Sequence, residues 1–481
     1  MPSPGELPPA SRTPSLRGGP RTLAVFLAAA VAYALLGQDA LYRFDAFLVL
    51  ASLDAHTAQR SCHELFLPLL LLFDRILAPL ALPPHRVAAL FSAIGTAAGV
   101  ACTWRAFRLL CATPQQALRA AALVAVAPPV VFFATVVEYH GAFFAFAQLA
   151  LLATVVLLRR PSAARAAALG AATALATLVH ASGVLLPLLF VPWFLATAPV
   201  APRRRAALGL LAFTVHAVLV VAGTVILRAL LATPPLPFRT ELGPLLAAVA
   251  HAPGAFLREW LVPYAPLTLG ALCAVRQRSA WPLLAVLGVA LCAYAVASGI
   301  VLGTVREWGA YFLPLSAPAA LLAVRALPAP AAWVLALVSC AGAIVAVRVH
   351  DRAASTYPTF LDGVAAAAHP RAPLPIVLAQ HERAALAVLR PGWRAIDLDG
   401  LVAGDERVLF ALAEELPGWI AKVVRPTAEC ALVSDASLAA LAAAHDGGRA
   451  LAAALRVAGT RVDRGGFAGF EVPGGALPAP K

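Results

Sequence analysis

Long apolar runs separated by short polar breaks fill the chain from Thr22 to Val347. Runs of this length, repeated this often, read as membrane-spanning helices rather than as the core of a soluble protein. About eleven spans are predicted, at 22–37, 87–109, 117–136, 139–158, 164–180, 182–197, 206–231, 262–275, 281–303, 309–325 and 329–348. Pro128-Pro129, Pro187, Pro192, Pro314 and Pro318 interrupt several of them. Broken helices survive in a membrane where they pack against protein or line a polar cavity, which suits an enzyme or a transporter better than a simple anchor. The run 65–82 is apolar too, but Pro68, Asp74, Arg75 and Pro79 cut it. It is read as a surface segment that returns without crossing, with Asp74-Arg75 as an interfacial pair.

Beyond Arg348 the pattern changes to short alternating runs with Pro and Gly punctuation. Strands are predicted at 375–379, 394–398, 429–434 and 466–472, and helices at 382–389, 405–415 and 436–444. Residues 1–21, rich in Pro, Ser and Arg, read as a disordered cytoplasmic tail. The expected organisation is this tail, a transmembrane domain over 22–348 with an outer loop at 38–86, and a soluble extracytoplasmic α/β domain over 349–481. The fold class is therefore a polytopic α-helical membrane protein with a small C-terminal α/β domain.

Composition supports the membrane reading: 61% of residues are hydrophobic, 13% charged, and the mean hydropathy is +0.82. The net charge of +13 is uneven, with 24 Lys+Arg against 10 Asp+Glu in residues 1–348 and 13 against 14 beyond. A basic excess confined to the membrane part follows from the positive-inside rule and needs no nucleic acid. With 65–82 left outside, Arg105, Arg108, Arg119, Arg159, Arg160, Arg165, Arg203–Arg205, Arg276, Arg278 and Arg325 all fall inside. Every carboxylate between 22 and 348 then falls outside: Asp39, Asp45, Asp54, Glu64, Asp74, Glu138, Glu241, Glu259 and Glu307. Plasma (inner) membrane, cytoplasmic N-terminus and outer C-terminal domain follow as expectations. Cys102, Cys111, Cys273, Cys292 and Cys340 lie in or beside apolar runs as small hydrophobes, while Cys62 and Cys430 are placed outside, where they can bridge but are read first as unpaired.

The loop after the first span crowds Asp39, Asp45, Asp54, Glu64 and Asp74 with His56 and His63 against an oily background. Carboxylates at a membrane surface are costly unless hydrated, paired or used. One use is sugar transfer from a lipid phosphate: a carboxylate accepts the proton of the attacking hydroxyl, and cations or hydrogen-bond donors hold the leaving phosphate. Asp45, Asp54 and Asp39 are the candidate bases. Arg306, Arg258, Arg239, His140 and His180 are candidate phosphate-holding groups. Oxygen ligands of this kind would also suit a divalent cation such as Mg or Mn, although no ordered ligand spacing is present.

The order of these pieces resembles the GT-C fold of polyprenyl-phosphate-sugar-dependent glycosyltransferases, which include protein O-mannosyltransferases and the lipid A aminoarabinose transferase. RFDAF, with Asp45, occupies the position of that family's acidic residue after span one, and HELFLPLLLLFDRIL, from His63, its surface helix. VAPPVVFFATVVEYHGAFFAFAQLALL resembles a helix pair joined outside by a turn at Glu138–His140. ATLVHASGVLLPLLFVPW resembles a later turn at His180, and EWGAYFLPLSAPAALLAV the start of a late span. Where the family has two prolines after the histidine, this chain has Glu64-Leu65, and no Glu closely follows Asp45. The resemblance implies an inverting glycosyltransferase of the cell envelope. Its donor would be a polyprenyl-phosphate-linked sugar and its acceptor a lipid, glycan or protein. His63, Glu138, His140, His180, Arg258 and Arg306 would bind substrate.

Plainer roles stand beside these. Asp45 can pair with Arg43 or cap a helix, Asp54 and Asp39 can be solvated loop acids, and Glu138 can cap the turn it sits on. His216, inside a span without nearby acids, reads as an interhelical packing residue. Two other classes remain open on sequence: a transporter or flippase of lipid-linked or anionic solutes, and a non-catalytic membrane scaffold. The acids at the surface rather than at mid-bilayer, and the lack of an internal repeat, count against the transporter.

Overall fold

The structure is a computed structural model and describes residues 19–38, 46, 49–50, 52–53, 63–231, 242–301, 308–354, 376–378, 395–397, 430–444, 446–464 and 467–473. The chain divides into two compact units, Met1–Asp39 with Ser52–Val349, and Ala40–Ala51 with His350–Lys481.

The first unit is helical. Its helices are α1 (Pro20–Leu35), α2 (Phe66–Leu77), α3 (Pro84–Leu110), α4 (Pro114–Ala125), α5 (Pro128–Thr135), α6 (His140–Arg159), α7 (Ala163–Val179), α8 (Leu186–Thr197), α9 (Pro202–Leu231), α10 (Leu242–Phe256), α11 (Ala265–Leu272), α12 (Trp281–Val301), α13 (Ser316–Ala326) and α14 (Ala329–Ala354). Among the described residues, five helices are long and apolar enough to cross a membrane, and six if the bent pair α4–α5 is one span. The bend of 59° falls at Pro128-Pro129, where proline has no N–H to continue the hydrogen-bond ladder. Shorter apolar helices occupy Pro20–Leu35, Ala163–Val179, Ala181–Thr197, Ala265–Arg276 and Ala310–Ala326. Each predicted span overlaps an apolar helix, but the eleven predicted spans outnumber the five or six described helices that are long enough to cross. The helix α10 and the π-helical turn Leu257–Leu261 before α11 were not anticipated.

Helix α2 has 12 residues, about 18 Å, too short to cross a hydrocarbon core of about 30 Å. It buries Phe66, Leu67 and Leu70 and exposes Leu72 and Ile76. Small residues let other helices approach closely. A Cβ on Gly141 of α6 would lie 2.5 Å from the Ser92 carbonyl oxygen of α3. Between α7 and α9, the buried His216 places Nδ1 3.1 Å from Thr173 Oγ1, an interhelical role as expected. The rest of α9 is largely apolar and exposed, with Leu210, Val218, Val221, Val225, Ile226 and Leu230 facing outward as lipid-facing residues do.

At one end of this unit, arginines close the helix turns. Arg159 donates to the Leu109 carbonyl, Arg204 to that of Pro161 at 3.1 Å, and Arg205 to those of Leu195 and Val200, both at 2.9 Å. Basic side chains on free C-terminal carbonyls complement the helix dipole.

In the second unit, β1 (Ile376–Leu378), β2 (Ala395–Asp397), β3 (Cys430–Ser434), β4 (Thr460–Arg464) and β5 (Phe467–Pro473) form one sheet in the order β2-β1-β3-β5-β4. The β1 pairings with β2 and β3 are parallel, with Val377 opposite Ile396 and Val433, while β5 runs antiparallel to β3 and β4. Leu432, Val433, Phe467 and Val472 are buried with Leu438 and Leu441 of α15 (Asp435–Ala444) and Leu451 and Leu455 of α16 (Asp446–Ala458). Four strands and α15 answer the sequence pattern. The strand β4, TRVDR, escaped it because an edge strand tolerates charges on its free side. The helix α16 escaped it because Gly447-Gly448 reads as a break. Gly448 instead packs against the Leu441 carbonyl, where a Cβ would come within 2.2 Å. The predicted helices 382–389 and 405–415 lie outside the described residues.

Candidate active site

At the end of the helices away from the arginine turns, five polar aromatic side chains form one buried cluster. Tyr139 and His140 begin α6, which runs 20 residues, about 30 Å, before reaching Arg159. His180 follows α7, His63 precedes α2, and Tyr311 lies in the 3-10 segment Ala310–Leu315 before α13. His63 stacks on Tyr139 at 4.1 Å between ring centroids and on His180 at 4.9 Å. His180 contacts Tyr139 and His140, both at 4.9 Å, and Tyr311 at 5.5 Å. Phe133 and Phe143 close the apolar side, 4.7 Å from His140 and 5.0 Å from His180.

Hydrogen bonds orient the rings. His180 caps the segment Ala181–Leu185: its Nδ1 accepts from the Ser182 amide at 3.2 Å and lies 2.6 Å from Ser182 Oγ. An accepting Nδ1 puts the neutral ring's proton on Nε2, a tautomer assigned from this network. His63 Nδ1 lies 3.3 Å from the Val179 carbonyl oxygen, to which it can donate. Next to it, the Leu65 amide donates to the Leu178 carbonyl at 2.9 Å. Glu64 Oε1 accepts from Arg228 Nε and Nη2 of α9, at 3.2 and 2.9 Å. Ser92 Oγ donates to the Glu138 carbonyl at 2.8 Å, and Gln38 Nε2 to Thr135 Oγ1, also at 2.8 Å. Glu138, at 2% exposure, is buried beside the cluster.

Of the predicted substrate-binding residues, His63, His140 and His180 meet in this cluster and Glu138 adjoins it in sequence. Arg258 lies on the π-helical turn Leu257–Leu261 with its side chain exposed. Asp39, Asp45, Asp54 and Arg306 lie outside the described residues, as do His56, Arg239 and Cys62. Sequence reasoning missed Tyr139 and Tyr311, although both stand inside quoted motifs, EYHG and GAYFLP. It also missed Arg228, whose signal was a lone charge near the C-terminal end of α9, in a stretch that is otherwise without charge after Arg205. Among the described residues, no group of three or more His, Cys, Asp or Glu is placed to hold a metal.

The multi-helix body with its small C-terminal sheet is that of a polytopic membrane protein, and the solved structures with which it aligns give it the GT-C fold. The solved structures it is similar to are specific. ArnT from Cupriavidus metallidurans bound to undecaprenyl phosphate aligns at a TM-score of 0.54 and 14% identity, over 96% of this chain and 99% of that one. Its apo state aligns at 0.53 and 15% identity, over 95% and 99%. The oligosaccharyltransferase AglB from Archaeoglobus fulgidus, in complex with an inhibitory peptide and a dolichol-phosphate, aligns at 0.50 and 13% identity, over 96% and 75%. The Archaeoglobus fulgidus oligosaccharyltransferase has also been solved with Zn and sulfate, and that structure aligns at 0.50 and 14% identity, over 85% of this chain and 68% of that one. No protein-family model and no curated protein matches the chain.

Proposed function

We propose that the protein is a membrane glycosyltransferase that moves a sugar from a polyprenyl-phosphate carrier to an extracytoplasmic acceptor. The observation that carries this reading is the near end-to-end likeness to ArnT bound to undecaprenyl phosphate, over 96% of this chain and 99% of that one.

The chemistry divides into three tasks. A carboxylate of the outer loop, Asp45 first with Asp54 and Asp39 behind it, takes the proton of the acceptor hydroxyl as that oxygen attacks the anomeric carbon. A single displacement inverts that carbon. The polyprenyl phosphate leaves as a weak base, so it requires hydrogen-bond donors and positive charge rather than a general acid. Arg306 and Arg258 are the sequence-based cations for this task. The ring N–H of His180 and the hydroxyls of Tyr139 and Tyr311 are donors held in an apolar surround, where such groups act more strongly than in water. Positioning is the third task, and rings locked by packing at fixed distances suit it. If the reaction uses a divalent cation, the carboxylates of the outer loop are the oxygen ligands that would hold it.

The orientation proposed is the positive-inside one. The arginine turns face the cytoplasm, the His–Tyr cluster lies at the outer membrane surface, and residues 349–481 form an extracytoplasmic domain. The donor is a polyprenyl-phosphate-linked sugar, and the acceptor a lipid, glycan or protein.

The test is release of polyprenyl phosphate from a panel of lipid-phosphate sugars by the purified, detergent-solubilised protein and by Asp45→Asn. Turnover by the parent, lost in a folded Asn variant, supports transfer and the base together. Turnover that survives moves the base to Asp54 or Asp39. A parent inactive on every donor refutes the reading.

A further inference from the structure

Glu259 is buried at 2% exposure in the transmembrane unit, and the three tasks above do not use it. A buried carboxylate in such a place is costly and marks a function unless the fold explains it. Its setting is unusual in two further ways. Glu259 lies on the π-helical turn Leu257–Leu261, closed by the Val262 amide on the Leu257 carbonyl at 3.1 Å, and single π turns gather at functional sites. Second, the Gly309 amide donates to Glu259 Oε2 at 2.8 Å across 50 residues of sequence.

The segment that Glu259 holds is strained. Trp308 has φ +48° and Gly309 φ +82°, two successive residues in the left-handed region. That region is open to glycine but disfavoured for a bulky side chain such as Trp308. The surroundings over-determine the turn. The Gly309 carbonyl accepts from Tyr264 Oη at 2.9 Å and from the Phe312 amide at 3.0 Å. A Cβ on Gly309 would lie 2.8 Å from both the Glu259 carbonyl oxygen and Tyr264 Cε2. Trp308 stacks on Phe132 at 5.9 Å with 17° between the rings. Two residues beyond Gly309, Tyr311 enters the His–Tyr cluster, 5.5 Å from His180 and 6.0 Å from His140. Strain kept by surrounding contacts is typical of sites where a side chain must be aimed.

We propose that Glu259 is a positioning residue for the transfer reaction: its hydrogen bond to the Gly309 amide holds the left-handed Trp308–Gly309 turn and so aims Tyr311 into the cluster. This rests on the glycosyltransferase reading for its catalytic consequence, but not for the geometry. A carboxylate makes a short, strong bond to an amide N–H and offers no competing donor. A glutamine keeps an acceptor of the same length, and alanine removes it.

The experiment compares Glu259→Ala and Glu259→Gln by two readouts. Hydrogen exchange of the peptide spanning Trp308–Leu315 should rise about tenfold or more in the alanine variant and stay near the parent in the glutamine variant. Turnover of a polyprenyl-phosphate sugar should fall about 10²-fold in kcat for alanine, with donor KM within about threefold, and recover to within about fivefold for glutamine. A role confined to overall folding would lower the folded fraction without this split. Exchange unchanged in Glu259→Ala, or glutamine as impaired as alanine, overturns the proposal. If Glu259→Ala does not fold, Gly309→Ala disturbs the same turn from its other side: exchange and kcat should move together there, and their failure to do so overturns the proposal too. A parent inactive on every donor refutes the glycosyltransferase reading and the catalytic half of this one, while exchange still decides whether Glu259 holds the turn.

Discussion

Replacing Glu64 with alanine removes the acceptor shared by Arg228 Nε and Nη2 at 3.2 and 2.9 Å. The two side chains keep 18% (Arg228) and 8% (Glu64) exposure, which sets the pair between two regimes. Exposed pairs contribute about 0–1 kcal/mol, whereas removing one partner of a fully buried pair costs about 3–5 kcal/mol. Hydrogen bonds to charged groups contribute about 1.5–3 kcal/mol. Arg228 stands near the end of α9 on a long side chain that can turn toward the interface, so its orphaned charge is partly relieved. Glu64→Ala should therefore cost about 2 kcal/mol. Arg228→Ala strands the shorter, more buried carboxylate and should cost about 3 kcal/mol. The double alanine variant should cost less than the sum by about 1–2 kcal/mol, because the two changes share one interaction. Unfolding in mixed micelles, followed by circular dichroism, measures all four corners of the cycle. The charge-reversed pair Glu64→Arg with Arg228→Glu should recover part of the loss. Single variants each costing under about 0.5 kcal/mol, or a strictly additive double, would refute the reasoning.

Three further outcomes follow from the packing. Gly141→Val forces a Cβ to 2.5 Å from the Ser92 carbonyl, so α3 and α6 must separate; thermal unfolding in detergent should show a loss of about 1–3 kcal/mol or more, and turnover should fall as His140 shifts. His216→Leu removes one interhelical hydrogen bond while Thr173 keeps the Leu169 and Gly170 carbonyls, so stability should drop by only about 0.5–1.5 kcal/mol with turnover unchanged. In a cysteine-free background, Ala201→Cys, in the turn before α9, should react with an impermeant maleimide only after the membrane is opened. Val457→Cys, on the C-terminal unit, should react in intact cells, and the reverse pattern would invert the proposed orientation.

Much of the helical unit was legible because hydrophobic runs respond to one local requirement: a backbone in lipid must satisfy its own hydrogen bonds. Each predicted span overlaps an apolar helix, although only five or six described helices are long enough to cross, and the short, interrupted run at 65–82 yields the 12-residue α2. The bend at Pro128-Pro129 was equally local. Local pattern failed where a position is set by a neighbour. The helix α10 is apolar but carries Pro244, Pro253 and Gly254, which read as breaks in a local pattern, and β4 owes its place to pairing with β5. His63, His140 and His180 stood out singly as polar residues in oily surroundings, but nothing in sequence showed that they touch.

The sequence by itself determined the class of the protein: the lengths and order of its apolar runs, the arginine turns at alternate breaks, and the shift to an α/β pattern after Arg348. These are sums of local preferences against a fixed solvent, and they survive without knowledge of distant contacts. Only the tertiary structure decided which side chains share a site. Glu64 meets Arg228 across 164 residues, His63 reaches Val179 across 116, and Glu259 holds Gly309 across 50. Such pairings depend on how helices cross, and the crossings depend on close approaches such as that of Gly141 to Ser92, whose cost or gain exists only once both helices are in place.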